Sequence, residues 1–334
     1  MTLRAAAIDV GTNTVRLLVG EPDGAGGYRA MAAAQEITRL GQGLWPDRLL
    51  QPGPIQRTLA VLERFRRLAD SHGATRTAVI GTSALREARN RQEFLCRARM
   101  ETGLDVRVIS GEEEARLTLR GVRATLPAAG SPPGGRLLLI DIGGGSTEFL
   151  LADGDEIVAA VSTGLGAVKL TEAHVRHDPP LPAELKAIHD VVAARLARLR
   201  FQELPDVGGT APGPGLTVVG TAGTVTSLAA IDLSLAAYDP GRVNGHRLTR
   251  DRVEALLREL AGLPLVRRRR VPGLEPARAD VILAGAIVCL VAMECFGIAA
   301  LGVSDGGLRE GVLLDVLGGP AAASPPGRIG PSAA

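Results

Sequence analysis

RLLLIDIGGGSTEFLLAD, residues 136–153, is the stretch that decides the fold of this chain. An apolar run at 137–140 is too short for a helix, three glycines at 143–145 follow it, and a second apolar run occupies 149–151. This spacing predicts a strand, a tight turn and a second strand, which together form a hairpin. Glycines in such a turn allow the backbone to approach a ligand closely.

The polar residues around the turn suit a phosphate group that is bound together with a metal ion. Consecutive free N–H groups in a glycine turn form an anion-binding concavity, and the hydroxyls of Ser146 and Thr147 add further donors. Asp141 and Glu148 flank the turn with hard oxygen ligands of the kind that Mg²⁺ prefers. The hairpin therefore predicts a magnesium-phosphate site.

An earlier segment repeats this pattern. AIDVGTNTVRLLVG, residues 7–20, aligns without gaps with LIDIGGGSTEFLLA, residues 139–152, and places Asp9 on Asp141 and Gly11 on Gly143. Taken alone, either copy is equally consistent with a purely structural glycine-rich hairpin. The repetition favours two similar lobes that hold a phosphate group from both sides of a cleft.

The composition indicates a globular chain of two domains. With 334 residues, 46% hydrophobic and 22% charged, the chain can bury substantial cores and falls outside the disordered class. A net charge of +2 and an aromatic content of 2% argue against a nucleic-acid partner.

No feature of the sequence indicates secretion or membrane insertion. The three cysteines lack metal-ligand spacing, and the N-terminus has no signal-peptide pattern. The apolar run at 281–293 is shorter than the ~20 residues of a membrane span and is expected to form a buried helix. We therefore expect a cytoplasmic protein without a membrane partner.

The segment SGEEEAR, residues 110–116, offers carboxylates to such a cleft. Ser110 and Glu113 match a capping box at the start of a helix, which leaves Glu112 and Glu114 free. A base at this point would face whatever the glycine loops hold. Acidic residues at a helix N-terminus also stabilise the helix dipole, so a purely structural role is the alternative for all three glutamates.

Four other features have both a functional and a structural explanation. Arg86, in a helix predicted over 84–99, points either into the cleft or into solvent. Lys169 follows a glycine turn and is a candidate phosphate contact. The glycine loop at 220–226 opens a helix, which suits an anion or close strand-to-helix packing. The arginine run at 267–270 is a solvated face or steers a polyanionic substrate toward the protein.

Common catalytic signatures are absent from the sequence. GVSDG, residues 302–306, fits a nucleophile elbow, but the histidine that should follow it is missing, because none occurs after His246. No Walker A, GxGxxG or HExxH motif occurs, which argues against P-loop, dinucleotide-binding and zinc-protease chemistry.

Together, these segments resemble the exopolyphosphatase / guanosine pentaphosphate phosphohydrolase (Ppx/GppA) family of the actin-like ATPase superfamily. The matching pieces run in family order from residue 5 to about residue 316: AAIDVGTNTVRLLV, GTSALREA, VISGEEEARL, LIDIGGGSTEF, STGLGAVKLTE, VVGTAGTVTSLAA, VPGLEPARADVILAGA and VSDGGLREGVLLD. The motifs GEEEAR and DIGGGSTE are specific for this family among proteins of the superfamily.

The resemblance implies an α/β fold of two ribonuclease-H-like domains, each a mixed sheet flanked by helices, with a cleft between them. We expect a first lobe at 1–124, joined by a C-terminal helix at 305–317, and a second lobe at 125–304. A disordered tail is expected at 318–334. The chain resembles a short-form member that ends at these two domains, so its preferred substrate chain length is open.

The family's functional residues carry over onto matching positions of this sequence. The resemblance makes Glu114 the catalytic base and Arg86 a phosphate-binding arginine, and it places the metal contacts on Asp141, Glu148 and, through water, Asp9. The phosphate contacts it implies lie in the two hairpin turns: Thr12, Asn13, Gly143, Gly144, Gly145 and Ser146.

The implied activity is hydrolysis of the terminal phosphoanhydride of inorganic polyphosphate with release of orthophosphate, assisted by Mg²⁺ or, alternatively, Mn²⁺. One alternative is a pppGpp 5′-phosphohydrolase or an enzyme acting on other nucleoside polyphosphates. Others are a non-catalytic phosphate or alarmone sensor and a sugar-kinase-like enzyme, although the latter leaves GEEEAR unexplained. The family also suggests a homodimer.

Overall fold

The computed structural model describes residues 3–126, 135–154, 156–202 and 215–318. The loops expected at 127–135 and 205–215 and the tail expected at 318–334 lie almost entirely outside these residues. Two mixed sheets flanked by helices confirm the predicted α/β class. Within the described ranges, no helix is long and apolar enough to cross a membrane.

The first sheet has five strands in the order β3-β2-β1-β4-β5. Its strands are β1 Ala5–Val10, β2 Thr14–Pro22, β3 Tyr28–Ile37, β4 Arg76–Gly81 and β5 Val106–Val108. The hairpin of β1 and β2 is antiparallel, as the repeated pattern at residues 7–20 predicts; β3 is antiparallel to β2, whereas β4 and β5 run parallel to β1. Together with helices α1 Pro52–Ser71, α2 Ser83–Glu87 and α3 Arg91–Thr102, this sheet forms the first lobe.

The single helix predicted over 84–99 is wrong, because the chain leaves the helical path at Ala88 (φ −67°, ψ 129°). The break results from contacts with a distant loop rather than from a local breaker. The Arg89 N–H donates to the Arg48 carbonyl oxygen at 2.8 Å. The Asn90 side chain accepts from the Leu50 N–H at 2.9 Å and donates to the Leu50 carbonyl at 3.1 Å. These bonds replace the helical ones that Arg89 and Asn90 would have made if the helix had continued.

The second sheet repeats the first and adds one strand. Its strands are β6 Arg136–Ile142, β7 Thr147–Asp153, β8 Glu156–Thr163, β9 Leu216–Thr221, β10 Arg247–Thr249 and β11 Ala300–Val303. The order β10-β11-β9-β6-β7-β8 contains the same arrangement of three antiparallel and two parallel strands, with β10 added antiparallel to β11. The hairpin predicted from residues 136–153 is therefore confirmed as β6 and β7.

Helices surround the second sheet and complete the second lobe. They are α5 Ala167–His174, α6 Pro182–Gln202, α7 Ala222–Asp232, α8 Pro240–Val243, α9 Arg250–Ala261, α10 Leu265–Arg268 and α11 Ile282–Cys295. The buried helix predicted at 281–293 is α11, whose residues 282–293 are all buried. Its apolar side chains belong to the largest hydrophobic cluster of the structure.

Only part of the arginine run at 267–270 is a solvated face. Arg268 is buried, and its guanidinium donates to the carbonyl oxygens of Leu260, Leu263 and Ala279 at 3.1, 2.7 and 3.0 Å. The Arg268 guanidinium therefore connects the C-terminal end of α9, near Leu260 and Leu263, with the backbone at Ala279. The three remaining arginines of the run are exposed, and electrostatic steering by them stays a prediction.

Two further helices, α4 Gly111–Thr125 and α12 Leu308–Gly318, lie between the sheets. One face of α4, with Ala115, Leu119 and Val122, packs on β6, β7 and β9 of the second sheet. Helix α12 packs on β1, β2 and β4 of the first sheet through Leu308, Val312 and Leu313. A Cβ on Gly311 would lie 1.8 Å from the Leu117 carbonyl oxygen, so the absence of a side chain allows α12 to approach α4. This packing places the first turn of α4 at the floor of the cleft.

Candidate active site

The two hairpin turns meet in the cleft. In both turns the first glycine N–H donates to a carbonyl oxygen three residues later, Gly11 to Thr14 and Gly143 to Ser146, at 3.0 Å each. We call residues 11–14 the first phosphate loop and residues 143–146 the second phosphate loop. The equivalent bonds show that the loops have related backbone conformations, as the ungapped alignment predicts.

Glycines in the second phosphate loop are needed because the loops touch. A Cβ on Gly144 would lie 3.3 Å from the Cβ atoms of both Thr12 and Asn13. A Cβ on Gly145 would lie 2.6 Å from the hydroxyl oxygens of Thr12 and Ser83. The structure thus brings together all six residues that the resemblance assigns to phosphate: Thr12, Asn13, Gly143, Gly144, Gly145 and Ser146.

Asp9 and Asp141 lie at corresponding positions of β1 and β6, immediately before the two loops. Both side chains are buried, and burial raises the pKa of each to about 6 against the opposing effect of Arg16. Asp141 Oδ2 accepts a weak hydrogen bond from the Thr118 hydroxyl at 3.5 Å. Asp9 Oδ1 is buried and has no hydrogen-bond partner among the described residues. A buried oxygen in this state is able to accept from a water molecule or a ligand in the cleft.

Glu148, on β7 beside Asp141, is held by two hydroxyl groups. Its Oε1 accepts from the hydroxyls of Ser146 at 2.7 Å and Ser162 at 2.6 Å. Burial and the nearby Asp141 raise its pKa to about 7, although these hydrogen bonds favour the carboxylate. The side chain is therefore oriented before any ligand binds. Sequence analysis missed Ser162, since nothing in the sequence indicates that β8 contributes a hydroxyl to the cleft.

The three glutamates in the first turn of α4 have different surroundings. The Ser110 hydroxyl accepts from the Glu113 N–H at 3.1 Å, as predicted, but the Glu113 side chain pairs with Arg107 at 2.6 Å rather than with the helix backbone. Glu112 is exposed, whereas Glu114 is buried and lines the cleft. The helix start therefore presents one of its three carboxylates to the phosphate loops.

Arg86 contacts Glu114, the carboxylate that lines the cleft. Its Nη1 donates to Glu114 Oε2 at 2.8 Å and to the Ile109 carbonyl oxygen at 3.0 Å, while Nη2 lies 3.9 Å from Glu148 Oε1. Burial raises the pKa of Glu114 well above its ordinary value, and Glu148 adds to this effect, which Arg86 opposes. A carboxyl with a raised pKa beside a guanidinium suits proton transfer near neutral pH.

The carboxylates in the cleft fit a magnesium ion that is shared with a phosphate ligand. Asp9, Asp141 and Glu148 supply hard oxygen donors, and the unsatisfied Asp9 Oδ1 is free to accept from a metal-bound water. In the described part of the chain, no three His, Cys, Asp or Glu side chains are close enough together to enclose a metal. Mg²⁺ typically takes one or two carboxylates and completes its shell with water and phosphate oxygens, so this donor set suits it.

Two cleft arginines were not assigned by sequence analysis. Arg16 lies opposite Asp9 on β2, and Arg278 is buried against α7, where a Cβ on Gly223 would lie 1.5 Å from its Nη1. Neither guanidinium forms an ion pair or side-chain hydrogen bond with any described residue. Burial, with the nearby Arg16, lowers the pKa of Arg278 to about 10. The ungapped alignment of the two hairpins already pointed to the position of Arg16, because it places this arginine on Glu148, a predicted metal contact.

A cavity of about 580 Å³ joins these groups. It extends from Glu114 and the phosphate loops past Arg16 and Arg278 to an apolar end that includes Tyr238 and Leu274. Lys169, predicted as a candidate phosphate contact, does not line this cavity and instead pairs with Glu87 of the first lobe at 3.1 Å. The cavity lining therefore combines acidic, basic and apolar side chains, and Asp305, which accepts from the Tyr238 hydroxyl, adds a carboxylate to the end that contains Tyr238.

Comparison with known proteins identifies the family. The sequence profile of the Ppx/GppA phosphatase family matches residues 21–319. The chain belongs to the Ppx/GppA phosphatase family. It is 35% identical to "Exopolyphosphatase 2" of Mycobacterium tuberculosis over 328 residues, 94% of this chain and 99% of that protein. It is also 30% identical to "Exopolyphosphatase 1" of Mycobacterium bovis over 312 residues, 93% of this chain and 88% of that protein.

Solved structures of family members confirm the fold. The Aquifex aeolicus family member is 33% identical and superposes with a TM-score of 0.76, covering 95% of this chain and 98% of that one. An exopolyphosphatase from Cytophaga hutchinsonii is 27% identical, with a TM-score of 0.81 and coverage of 94% and 97%. The protein is therefore a Ppx/GppA phosphatase, a hydrolase with the actin-like ATPase fold.

Proposed function

We infer that this Ppx/GppA phosphatase is an exopolyphosphatase, which hydrolyses the terminal phosphoanhydride bond of inorganic polyphosphate and releases orthophosphate. The observation that carries the proposal is the position of Glu114. Its buried carboxylate accepts from Arg86 at 2.8 Å and faces two phosphate loops that touch each other. A terminal phosphoryl group on these loops would lie between the base and the arginines of the cavity.

In this proposal each side chain has a separate role. Glu114 orients a water molecule and accepts its proton, for which a raised pKa is an advantage near neutral pH. Arg86 offsets the charge that develops on the phosphoryl oxygens, while the N–H groups of the phosphate loops hold the group in line. Arg16 and Arg278, which have no ionic partner in the described structure, pair with phosphates farther along the chain.

Mg²⁺, or Mn²⁺ in its place, would be held by Asp141 and Glu148 directly and by Asp9 through water. Such an ion would neutralise charge on the phosphate oxygens as the bond to the leaving group breaks. Ser146 and Ser162 orient Glu148 for this purpose by donating to its Oε1.

Phosphate release from purified protein with Mg²⁺ tests the proposal. The substrates are short-chain polyphosphate, long-chain polyphosphate, pppGpp and ATP, and the lengths of the remaining chains are measured together with orthophosphate. We expect orthophosphate and chains shortened from the end. Cleavage inside the chain contradicts an exopolyphosphatase. Binding of polyphosphate without release from any substrate indicates a non-catalytic sensor.

The far end of the cavity favours one alternative, hydrolysis of pppGpp or another nucleoside polyphosphate. Tyr238 is 45% exposed and lines this end together with Leu235 and Leu274. An aromatic ring beside aliphatic side chains suits a nucleobase, whereas polyphosphate has no apolar part. A higher kcat/KM for pppGpp than for polyphosphate, which falls in Tyr238→Ala, would support this alternative over the first proposal.

A further inference from the structure

We propose that Trp45, Glu87 and Lys169 form a clamp between the lobes that positions Arg86 and the second phosphate loop relative to each other. Its catalytic consequence rests on the proposed function, but its structural part does not. The clamp joins the first lobe, through Trp45 and Glu87, to Lys169 at the start of α5 in the second lobe.

A single carboxylate connects the members of the clamp. Glu87 Oε2 accepts from the Trp45 Nε1–H at 2.8 Å and from the Lys169 ammonium at 3.1 Å. Lys169 Nζ also lies 5.0 Å from the centroid of the Trp45 ring, within the range of a cation–π contact. The side chains of Lys169 and Glu87 are only 28% and 25% exposed, so solvent screens this pair less than a surface ion pair.

Both sides of the clamp continue directly into the active site. Glu87 follows Arg86 on α2, and its Oε1 accepts from the Ser83 hydroxyl at 3.2 Å. On the other side, the N–H groups of Ala167 and Val168 donate to the carbonyl oxygens of Gly143 and Gly144 at 3.0 and 2.8 Å. The clamp therefore connects the helix that carries Arg86 with the backbone of the second phosphate loop.

The first phosphate loop is also connected to the clamp, through the segment that contains Trp45. Residues 38–50, which include Trp45, connect β3 with α1, and we call them the strap. The strap N–H groups of Arg39 and Gly41 donate to the carbonyl oxygens of Asn13 and Thr12 at 2.9 and 2.8 Å. The strap also reaches the second lobe, where the Gly43 N–H donates to Glu172 Oε1 on α5 at 3.1 Å.

These contacts define what the clamp does. Opening the cleft on this side would break the Glu87–Lys169 pair and pull α5 away from the strap, so that the two phosphate loops separate. Loss of the pair should therefore displace Arg86 from the position that it needs in the transition state. We expect this displacement to lower turnover more than it weakens polyphosphate binding. A displacement of about 1 Å at a catalytic group can lower turnover about 10²-fold.

Kinetics of five variants, one of them a control, test this positioning role. In Lys169→Met and Glu87→Gln we expect kcat to fall by about 10–100-fold with a smaller change in KM. The double variant should lose no more than the worse single variant, because both changes break one pair. Lys169→Arg keeps the charge and should retain most of the turnover. Lys186→Met is the matched control, since Lys186 pairs with Asp190 on the exposed surface of α6 at 2.6 Å.

Two physical measurements test the clamp independently of enzyme activity. Trp45 is the only tryptophan of the sequence, so fluorescence excited selectively at tryptophan, outside the absorption of the two tyrosines, reports on the clamp. We expect Lys169→Met to shift the Trp45 emission and to increase the radius of gyration in X-ray scattering, and we expect neither change in Lys186→Met. Circular dichroism verifies that both variants are folded.

The outcomes separate the clamp from the proposed function. A wild-type protein that hydrolyses no phosphoanhydride contradicts the function, while the fluorescence and scattering still test the clamp. A folded Lys169→Met protein with wild-type emission, radius of gyration and kcat overturns the clamp. A fall in kcat that Lys186→Met shares overturns it as well.

Discussion

Arg16 and Glu148 occupy equivalent positions in the two hairpins and carry opposite charges. Arg16 pairs in register with Asp9 across β1 and β2, as Glu148 does with Asp141 across β6 and β7. The hairpin of the first lobe thus places a cation, Arg16, beside its aspartate. The hairpin of the second lobe places a second carboxylate, Glu148, at the equivalent position. In the proposed function this asymmetry suits a metal-bound polyanion, because the carboxylates would hold the ion and the arginine would pair with the excess phosphate charge.

Two buried arginines should respond differently to substitution by methionine. Arg278 has no ionic partner in the described structure, so Arg278→Met should raise KM for polyphosphate about 10–100-fold, the equivalent of one charged hydrogen bond. Arg268 donates to three backbone carbonyls, so Arg268→Met should lower the unfolding free energy by about 1–3 kcal/mol with little change in KM. Steady-state kinetics and urea unfolding measure the two effects, and an unchanged KM in Arg278→Met would refute its assignment.

The acid limb of the pH–rate profile should move when Arg86 is replaced. Glu114 must be ionised to accept a proton, and its pKa is raised by burial and Glu148 but lowered by Arg86. Removing the guanidinium in Arg86→Met therefore raises this pKa further, so activity is lost at a higher pH than in the wild type. The measurement is kcat/KM between pH 5 and pH 9. An acid limb that stays in place or moves to lower pH contradicts the Glu114–Arg86 coupling.

Magnesium should stabilise the protein more at pH 8 than at pH 5. Burial raises the pKa values of Asp9 and Asp141 to about 6 and of Glu148 to about 7. At these three carboxyls the folded state therefore binds more protons than the unfolded state between pH 4 and pH 7, and their contribution to stability falls as pH rises through this window. Above this window the three neighbouring carboxylates are ionised, so a bound cation offsets more of their mutual repulsion at high pH than at low pH.

Thermal unfolding with and without Mg²⁺ at both pH values measures this effect. Asp141→Asn serves as the control, because it removes one of the proposed ligands and should reduce the Mg²⁺-induced rise in Tm at pH 8. An equal rise at pH 5 and pH 8 in the wild type would show that these carboxylates do not hold the ion.

The sequence predicts the hairpins and the acidic residues of the site because local patterns determine them. Alternating apolar runs around small-residue turns specify β1–β2 and β6–β7, and the repeat places Asp9 and Asp141 at equivalent points. Likewise, the Ser110 cap depends on residues within a single helical turn and is confirmed, whereas the Glu113 side chain pairs with Arg107 rather than with the helix backbone.

Features that depend on distant partners could not be predicted in this way. The break after α2 follows from hydrogen bonds between residues 89–90 and residues 48–50. Lys169 is adjacent to a glycine turn in sequence, but its partner Glu87 lies in the other lobe. The burial of Arg268 depends on carbonyls that its neighbours in the arginine run do not reach. In each case the tertiary partner, rather than the local pattern, determines the role.

The most direct test of the central claim compares two neighbouring glutamates on α4. Glu114 is buried in the cleft, whereas Glu113 pairs with Arg107 outside it, so Glu114→Gln and Glu113→Gln are the same change in two environments. We expect Glu114→Gln to lower kcat for polyphosphate hydrolysis by about 10²–10⁴-fold while polyphosphate binding is retained, and Glu113→Gln to keep wild-type kcat. A folded Glu114→Gln protein with wild-type kcat would contradict the assignment of Glu114 as the general base.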